Sequence, residues 1–200
     1  VEELFKSYKN IHIVGFSFGS LIALKLSNLF EKNKLTGRIT LVDGSPTFLK
    51  KLYANMLGDG NFDDIIENLI LKAVTEAVIP NESEKAIQVI RQNLPLVKKI
   101  NILVNETNGL KKYSEIHIKC MVEAIINRVK IINQFDEKEI NTLHSIKLRL
   151  IRPKNFAIKE IENDYDLKKF VTSPIDVKFV EGDHLSMLDS SEFRDVLNSS

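Results

Sequence analysis

The chain has one cysteine, four histidines and no block of like charge: 28 Lys and Arg stand against 27 Asp and Glu, for a net charge of +1 over 200 residues. A lone Cys120 cannot form an internal disulfide and offers no metal-ligand cluster, so a reducing compartment is the simpler expectation. Nucleic acid and anionic membrane surfaces both select clustered positive charge, and none is present. Charges also interrupt every apolar run, including the longest around Ile65 to Ile79, which excludes a membrane span by sequence. The opening VEELFKSYKN has no signal-peptide character, and position 1 is Val rather than Met. A soluble, cytoplasmic chain that begins inside a larger protein is expected.

Three zones follow from periodicity. Over residues 1–49, VEELFKSY reads as the end of a helix and IHIVG (11–15) as a buried strand. A helix from Phe18 to about Lys32 places Ile22, Leu26, Leu29 and Phe30 on its apolar face, and RITLVD (38–43) reads as a second strand. Strand, helix, strand predicts a parallel βαβ unit. The middle zone, about 61–145, carries only helical patterns. One stripe runs from Phe62 to Val78, a second helix spans Ser83 to Leu94 before Pro95, and a third buries Ile118, Val122, Ile125, Ile126, Val129 and Ile132. Cys120 and Ala124 lie beside that last stripe, so more than one of its faces is expected to be buried, with Cys120 as helix core. Strands return at KLRLIRP (147–153) and DVKFVEG (176–182), before a terminal helix capped by Ser190 or Ser191 with Phe193, Val196 and Leu197 inward. The fold class is therefore α/β, with core segments 1–60 and 146–200 and an inserted helical lid.

Chemistry concentrates at Gly15-Phe16-Ser17-Phe18-Gly19, a G-x-S-x-G between a predicted strand and a predicted helix. In a nucleophile elbow the serine sits on a strained turn, and the residues two before and two after it approach each other closely, so both are expected to be glycine or nearly so. The same letters also suit an ordinary flexible turn; the strand–turn–helix setting favours the elbow. A serine hydroxyl needs a base and an acid that orients the base. His12 lies inside the strand before the turn, and His117 and His144 lie on or beside the helical block. His184, in Gly182-Asp183-His184 after the last strand, is placed to overhang the serine. Chain order in this architecture puts the acid between serine and histidine, and Asp43, at the end of the second strand, is the better candidate. Its alternative role is a turn-forming Asp-Gly. Asp183 is the second candidate acid. The backbone N–H of Phe18 supplies one oxyanion donor; a second is expected from a loop after an earlier strand, which this sequence does not contain.

With GFSFG, LVDGSPT and VEGDH in that order, the chain resembles the thioesterase domain of animal, insect-like type I fatty acid synthase. The resemblance implies an α/β-hydrolase core with its N-terminal strands missing. It independently favours Asp43, and implies Ser17 as nucleophile, Asp43 as orienting acid and His184 as base. The implied reaction is release of a long-chain fatty acid from its thioester on the phosphopantetheine arm of an acyl carrier protein, with no other cofactor. The implied partners are that carrier domain and, through a homodimeric parent synthase, a second subunit. The apolar lid helices suit an acyl groove, and the Lys pairs 50/51, 98/99, 111/112 and 168/169 offer docking charge for the carrier. Two alternatives share the motifs: another serine hydrolase, such as a carboxylesterase, lipase or stand-alone thioesterase, and an impaired fragment of the synthase. Loss of one oxyanion donor costs about 3 kcal/mol, or roughly a hundred- to a thousand-fold in rate, so the isolated chain is expected to be a poor catalyst.

Overall fold

A computed structural model describes residues 10–57, 66–67, 70–71, 83–108, 110, 113–155, 158 and 161–199. The helix expected over 1–8, most of the Phe62–Val78 stripe and the Lys111/Lys112 pair lie outside these residues. The chain divides into two compact units, one formed by Val1–Leu52 with Gln134–Ser200 and the other by Tyr53–Asn133.

The first unit is built on four parallel strands in the order β1 (Asn10–Phe16), β2 (Thr36–Val42), β3 (Ile146–Pro153), β4 (Asp176–Val180). Parallel pairing brings every C-terminal strand end to one edge of the sheet, where loops converge. Helix α1 (Gly19–Lys32) connects β1 to β2. Its buried face is Ser20, Leu21, Ala23, Leu24, Ser27 and Phe30, not the expected Ile22–Leu26–Leu29–Phe30 stripe, and Ile22 and Leu29 are 51% and 41% exposed. Size decides the orientation here. Ser20, Ala23 and Ser27 present small side chains where the helix meets the strands, and Ser20 Oγ donates to Gly15 O at 2.9 Å. The resulting close approach is closed to Ile22 and Leu29.

Helix α2 (Pro46–Leu57) follows β2 and was not anticipated from the pattern. Its start is nonetheless encoded: the Phe48 N–H donates to Ser45 Oγ at 3.0 Å, so Ser45 caps it and Pro46 occupies the first turn, where a missing N–H costs nothing. The terminal helix α6 (Ser191–Asn198) is capped by Ser190, which accepts from the Phe193 N–H. Phe193 packs with Val42, Ile151, Val180 and Met187, and Val196 and Leu197 lie against the same cluster.

The second unit contains α3 (Ser83–Ile90), α4 (Leu96–Glu106) and α5 (Glu115–Gln134) around a core of Ile70, Leu71, Val89, Leu103, Ile118, Val122 and Val129, among others. Helix α3 ends at Ile90, four residues short of the expected Leu94: the Gln92 N–H turns to Val89 O and the Leu94 N–H to Gln92 O, so the i→i−4 ladder is already broken before Pro95, which precedes α4. On α5 one face alone is buried: Cys120 and Ala124 are exposed, which corrects the expectation of a core cysteine. The helical unit also stops at Asn133 rather than near 145. Beyond it, Glu139 pairs with Lys25 and accepts from Asn28, and the Phe135 carbonyl accepts from Lys50 at 2.7 Å, tying this stretch to α1 and α2. No helix among the described residues is long and apolar enough to cross a membrane.

Candidate active site

At the C-terminal edge the sheet ladder runs one residue past the paired strands. Ser17 N–H donates to Val42 O and Asp43 N–H to Ile151 O, each at 2.8 Å, so the two residues sit in register beyond β1 and β2. Both then turn sharply, with φ of 52° at Ser17 and 43° at Asp43. Left-handed backbone at a residue with a Cβ costs on the order of 1–3 kcal/mol and persists only where surrounding contacts enforce it.

Those contacts can be read from the glycines. A Cβ on Gly15 would lie 2.6 Å from Gly19 O and 2.9 Å from Ala23 Cβ. The close approach expected across the elbow is therefore present, but only one of its two glycines is sterically required: a Cβ on Gly19 meets nothing within 4 Å. Gly44 has a comparable constraint, since its Cβ would fall 2.5 Å from both Ser17 O and Ser20 Oγ. The Asp43-Gly44 pair thus packs the acid's loop onto the serine's turn.

His184 reaches the same place from the loop after β4. Its Nδ1–H donates to Asp43 Oδ2 at 2.6 Å, and in that tautomer Ser17 Oγ–H donates to Nε2 at 3.1 Å. Asp43 is 2% exposed, while the His184 side chain is 36% exposed and stacks on Phe16, ring centroids 4.8 Å apart. The structure brings Ser17, Asp43 and His184 into one relay. The Phe18 N–H, immediately after the serine at the start of α1, makes no hydrogen bond among the described residues.

Asp183 is elsewhere engaged. Its Oδ1 accepts from the N–H groups of Leu185 and Ser186 and from Ser186 Oγ, and these bonds hold its carboxyl below the ordinary carboxylate range. These bonds close a tight turn across His184, just before the 3-10 turn Ser186–Asp189, and so shape the loop that carries the histidine; the second candidate acid is a turn residue. The other histidines also lie apart. His12 Nε2 shares a 2.8 Å hydrogen bond with Thr40 Oγ1, and burial followed by the charges of Arg38 and Arg149 lowers its pKa. His117 bonds Ser114 at the start of α5, and the His144 N–H donates to Glu31. Of the paired lysines, Lys50 donates to Phe135 O, Lys169 pairs with Glu137, and Lys99 is buried, so these three are committed within the chain.

Sequence reasoning overlooked Tyr165. It is fully buried, and its O–H donates to the second carboxylate oxygen of Asp43, Oδ1, at 2.6 Å. Burial, then the Asp43 charge, pushes its phenol far above the ordinary tyrosine range. The ring stacks on Phe48 at 4.3 Å, and the Arg152 guanidinium lies over it at 4.4 Å. The only local signal was the flanking pair Asp164 and Asp166, typical turn residues. Among the described residues no cluster of three or more His, Cys, Asp or Glu side chains is placed to hold a metal.

No family profile and no curated protein matches the chain. Solved structures do. A Vlm2 thioesterase domain with a bound dodecadepsipeptide aligns over 98% of this chain and 67% of its own, with 14% identity and a TM-score of 0.56. Human thioesterase 2 aligns over 98% and 73%, with 14% identity and a TM-score of 0.53. The RedJ thioesterase from the prodiginine pathway of Streptomyces coelicolor aligns over 98% and 63%, with 11% identity and a TM-score of 0.53. The chain thus spans about two thirds of the length of these structures. At such identity the likeness shows the fold alone: an α/β arrangement of a parallel sheet with helices.

Proposed function

We propose that the chain is a serine thioesterase acting on an acyl group carried by a phosphopantetheine arm, and more specifically that it releases long-chain fatty acid from an acyl carrier protein in a cytoplasmic fatty acid synthase. The observation that carries the catalytic part is the continuous relay from Ser17 Oγ through His184 to the buried Asp43. The thioesterase fold of the similar structures supports the substrate class, and the ordered GFSFG, LVDGSPT and VEGDH motifs support the synthase.

In this reading Ser17 Oγ attacks the thioester carbonyl as its proton passes to His184 Nε2. The tetrahedral oxyanion takes the Phe18 N–H, and the C–S bond then breaks with the proton returned to the departing thiol. Water, deprotonated by the same Nε2, attacks the acyl-serine; the proton goes back to Ser17 Oγ as the carboxylic acid leaves. Asp43 holds the imidazole in its Nδ1–H tautomer and stabilises the transient imidazolium.

Thiol release from a long-chain acyl thioester tests this. Ser17→Ala is expected to abolish it, and unchanged turnover in that variant refutes the proposal. Parallel assays with the matching oxygen ester divide the reaction classes: a strong ester preference would assign the relay to a carboxylesterase or lipase instead.

A further inference from the structure

The carboxylate of Asp43 has two oxygens, and the relay uses one. The other is taken by the Tyr165 O–H, and we propose that Tyr165 is a positioning residue that fixes the rotation of the Asp43 carboxylate, and through it the orientation of His184; this rests on the triad reading above.

Geometry supports it in three ways. First, a carboxylate on a single Cβ–Cγ bond is free to rotate unless both oxygens are held, and here the holding bonds, to Tyr165 Oη and His184 Nδ1, are each 2.6 Å long. Short bonds to an ionised acceptor are the stronger kind. Second, the tyrosine is itself immobilised through its ring and through its backbone. Phe48 stacks with an interplanar angle of 3°, Arg152 covers the ring at 4.4 Å, and the Tyr165 carbonyl accepts from Ser45 Oγ at 2.9 Å. Ser45 also caps α2, two residues past Asp43, so the acid and its tyrosine are anchored through one short segment. Third, backbone strain collects along this path. Among the described residues five non-glycine positions have positive φ, and four of them, Ser17, Asp43, Tyr165 and Asp166, belong to the relay or to the turn that presents the tyrosine. A bulky aromatic at φ 55° is an outlier that packing must enforce.

Tyr165→Phe removes the donor and keeps the ring. Two measurements on the intact chain read its effect: the low-field proton resonance of the His184 Nδ1–H, and the rate at which a fluorophosphonate ester labels Ser17. In the wild type both are expected, and Ser17→Ala should take no label. In Tyr165→Phe the resonance should broaden or disappear, with labelling slowed about 10- to 100-fold, part of the roughly 10⁴-fold loss that follows when the acid itself is disabled. With a soluble acyl thioester, kcat should fall by the same factor and KM stay within twofold, because Tyr165 does not meet substrate. A wild type that shows neither resonance nor label overturns the triad and this proposal together. A wild type that shows both, with Tyr165→Phe equal to it, overturns the tyrosine's role and leaves the triad standing. Slower labelling with an undisturbed resonance and a lowered urea midpoint would make Tyr165 a packing residue, also against the proposal. Should Tyr165→Phe not fold, 3-fluorotyrosine at 165 keeps the shape with a stronger donor; it should displace the resonance, and an unmoved signal overturns the proposal.

Discussion

The two glycines of the G-x-S-x-G turn are chemically identical and structurally opposite, so one substitution at each site isolates the close approach beneath Ser17. In Gly15→Ala the new methyl would sit 2.6 Å from Gly19 O, 2.8 Å from Gly19 C and 2.9 Å from Ala23 Cβ. Two of these atoms are backbone and the third is a Cβ, so no side chain can rotate away. Restoring an ordinary 3.4 Å contact requires about 0.8 Å of separation between the end of β1 and the start of α1. Overpacking of this kind costs about 1–3 kcal/mol. Gly19→Ala meets no atom within 4 Å and lies at the first position of α1 without positive φ. It should gain about 0.4–1 kcal/mol by restricting the unfolded chain.

The two variants should therefore differ by about 1.4–4 kcal/mol, with the wild type between them. At a urea slope of about 2 kcal/mol per molar, their midpoints separate by about 0.7–2 M. Circular dichroism during urea titration measures this, and hydrogen exchange in peptides from β1 and β2 assigns the change to the sheet unit. Because a 1 Å misplacement can cost about 100-fold in rate, Gly15→Ala should also slow phosphonate labelling of Ser17 sharply while Gly19→Ala leaves it near wild type. Coincident midpoints, or a Gly19→Ala chain less stable than Gly15→Ala, would refute the claim that only one glycine is required.

Three further measurements bear on the site and its frame. Asp43→Asn should lower acyl-thioester turnover about 10⁴-fold. Asp183→Asn, which keeps an acceptor for the Leu185 and Ser186 N–H groups, should stay within about tenfold of wild type if these turn bonds contribute the usual roughly 1 kcal/mol; comparable losses in both would restore Asp183 as an acid. At high pH, folding holds the Tyr165 phenol neutral through burial and the Asp43 charge, so its contribution is fully present below its ordinary value of 10.0 and is lost as pH rises past it. The urea midpoint should fall between pH 9 and 11, less steeply in Tyr165→Phe, where half-buried Tyr53 still contributes. At low pH, burial raises the Asp176 carboxyl, but its hydrogen bonds and ion pairs with Lys178 and Arg149 prevail and leave it below 3.8. Its stabilisation is present above that value and lost as pH falls through the lower folded one, so Asp176→Asn should flatten the acid limb of a stability profile below about pH 4.

What was legible in the sequence is local in character. The elbow shows itself because its constraint lies within five residues, and the strands because alternation and β-branching are properties of short windows. The order serine, acid, histidine then singled out Asp43 and His184 at strand ends, and the two side chains meet in the structure. The errors have a common origin in packing. Apolarity alone assigned the buried face of α1, whereas the sheet admits its small side chains Ser20, Ala23 and Ser27 and turns Ile22 and Leu29 outward. Cys120 and Ala124 appeared core-like beside a true stripe, yet the buried residues of α5 are Ile118, Val122, Ile126, Val129 and Ile132, a single face. Tyr165 was invisible because its partner stands 122 positions away and nothing nearby marks a tyrosine as a donor.

The end of β3 supplies none of Ser17, Asp43 and His184. β3 lies between the strands that carry Asp43 and His184, and a histidine from β4 must reach back across it. Arg152, near the end of β3, is fully buried, a placement that is costly for a cation without compensation. The compensation is directional: its Nη1 donates to the carbonyls of Glu162 and Asn163 at 3.3 and 2.9 Å, and its plane faces the rings of Tyr165 and Phe179 at 4.4 and 5.2 Å. These contacts grip the 162–166 turn immediately before and at the tyrosine that meets Asp43. Strand β3 thus serves the relay from beneath, by holding the loop that holds the acid.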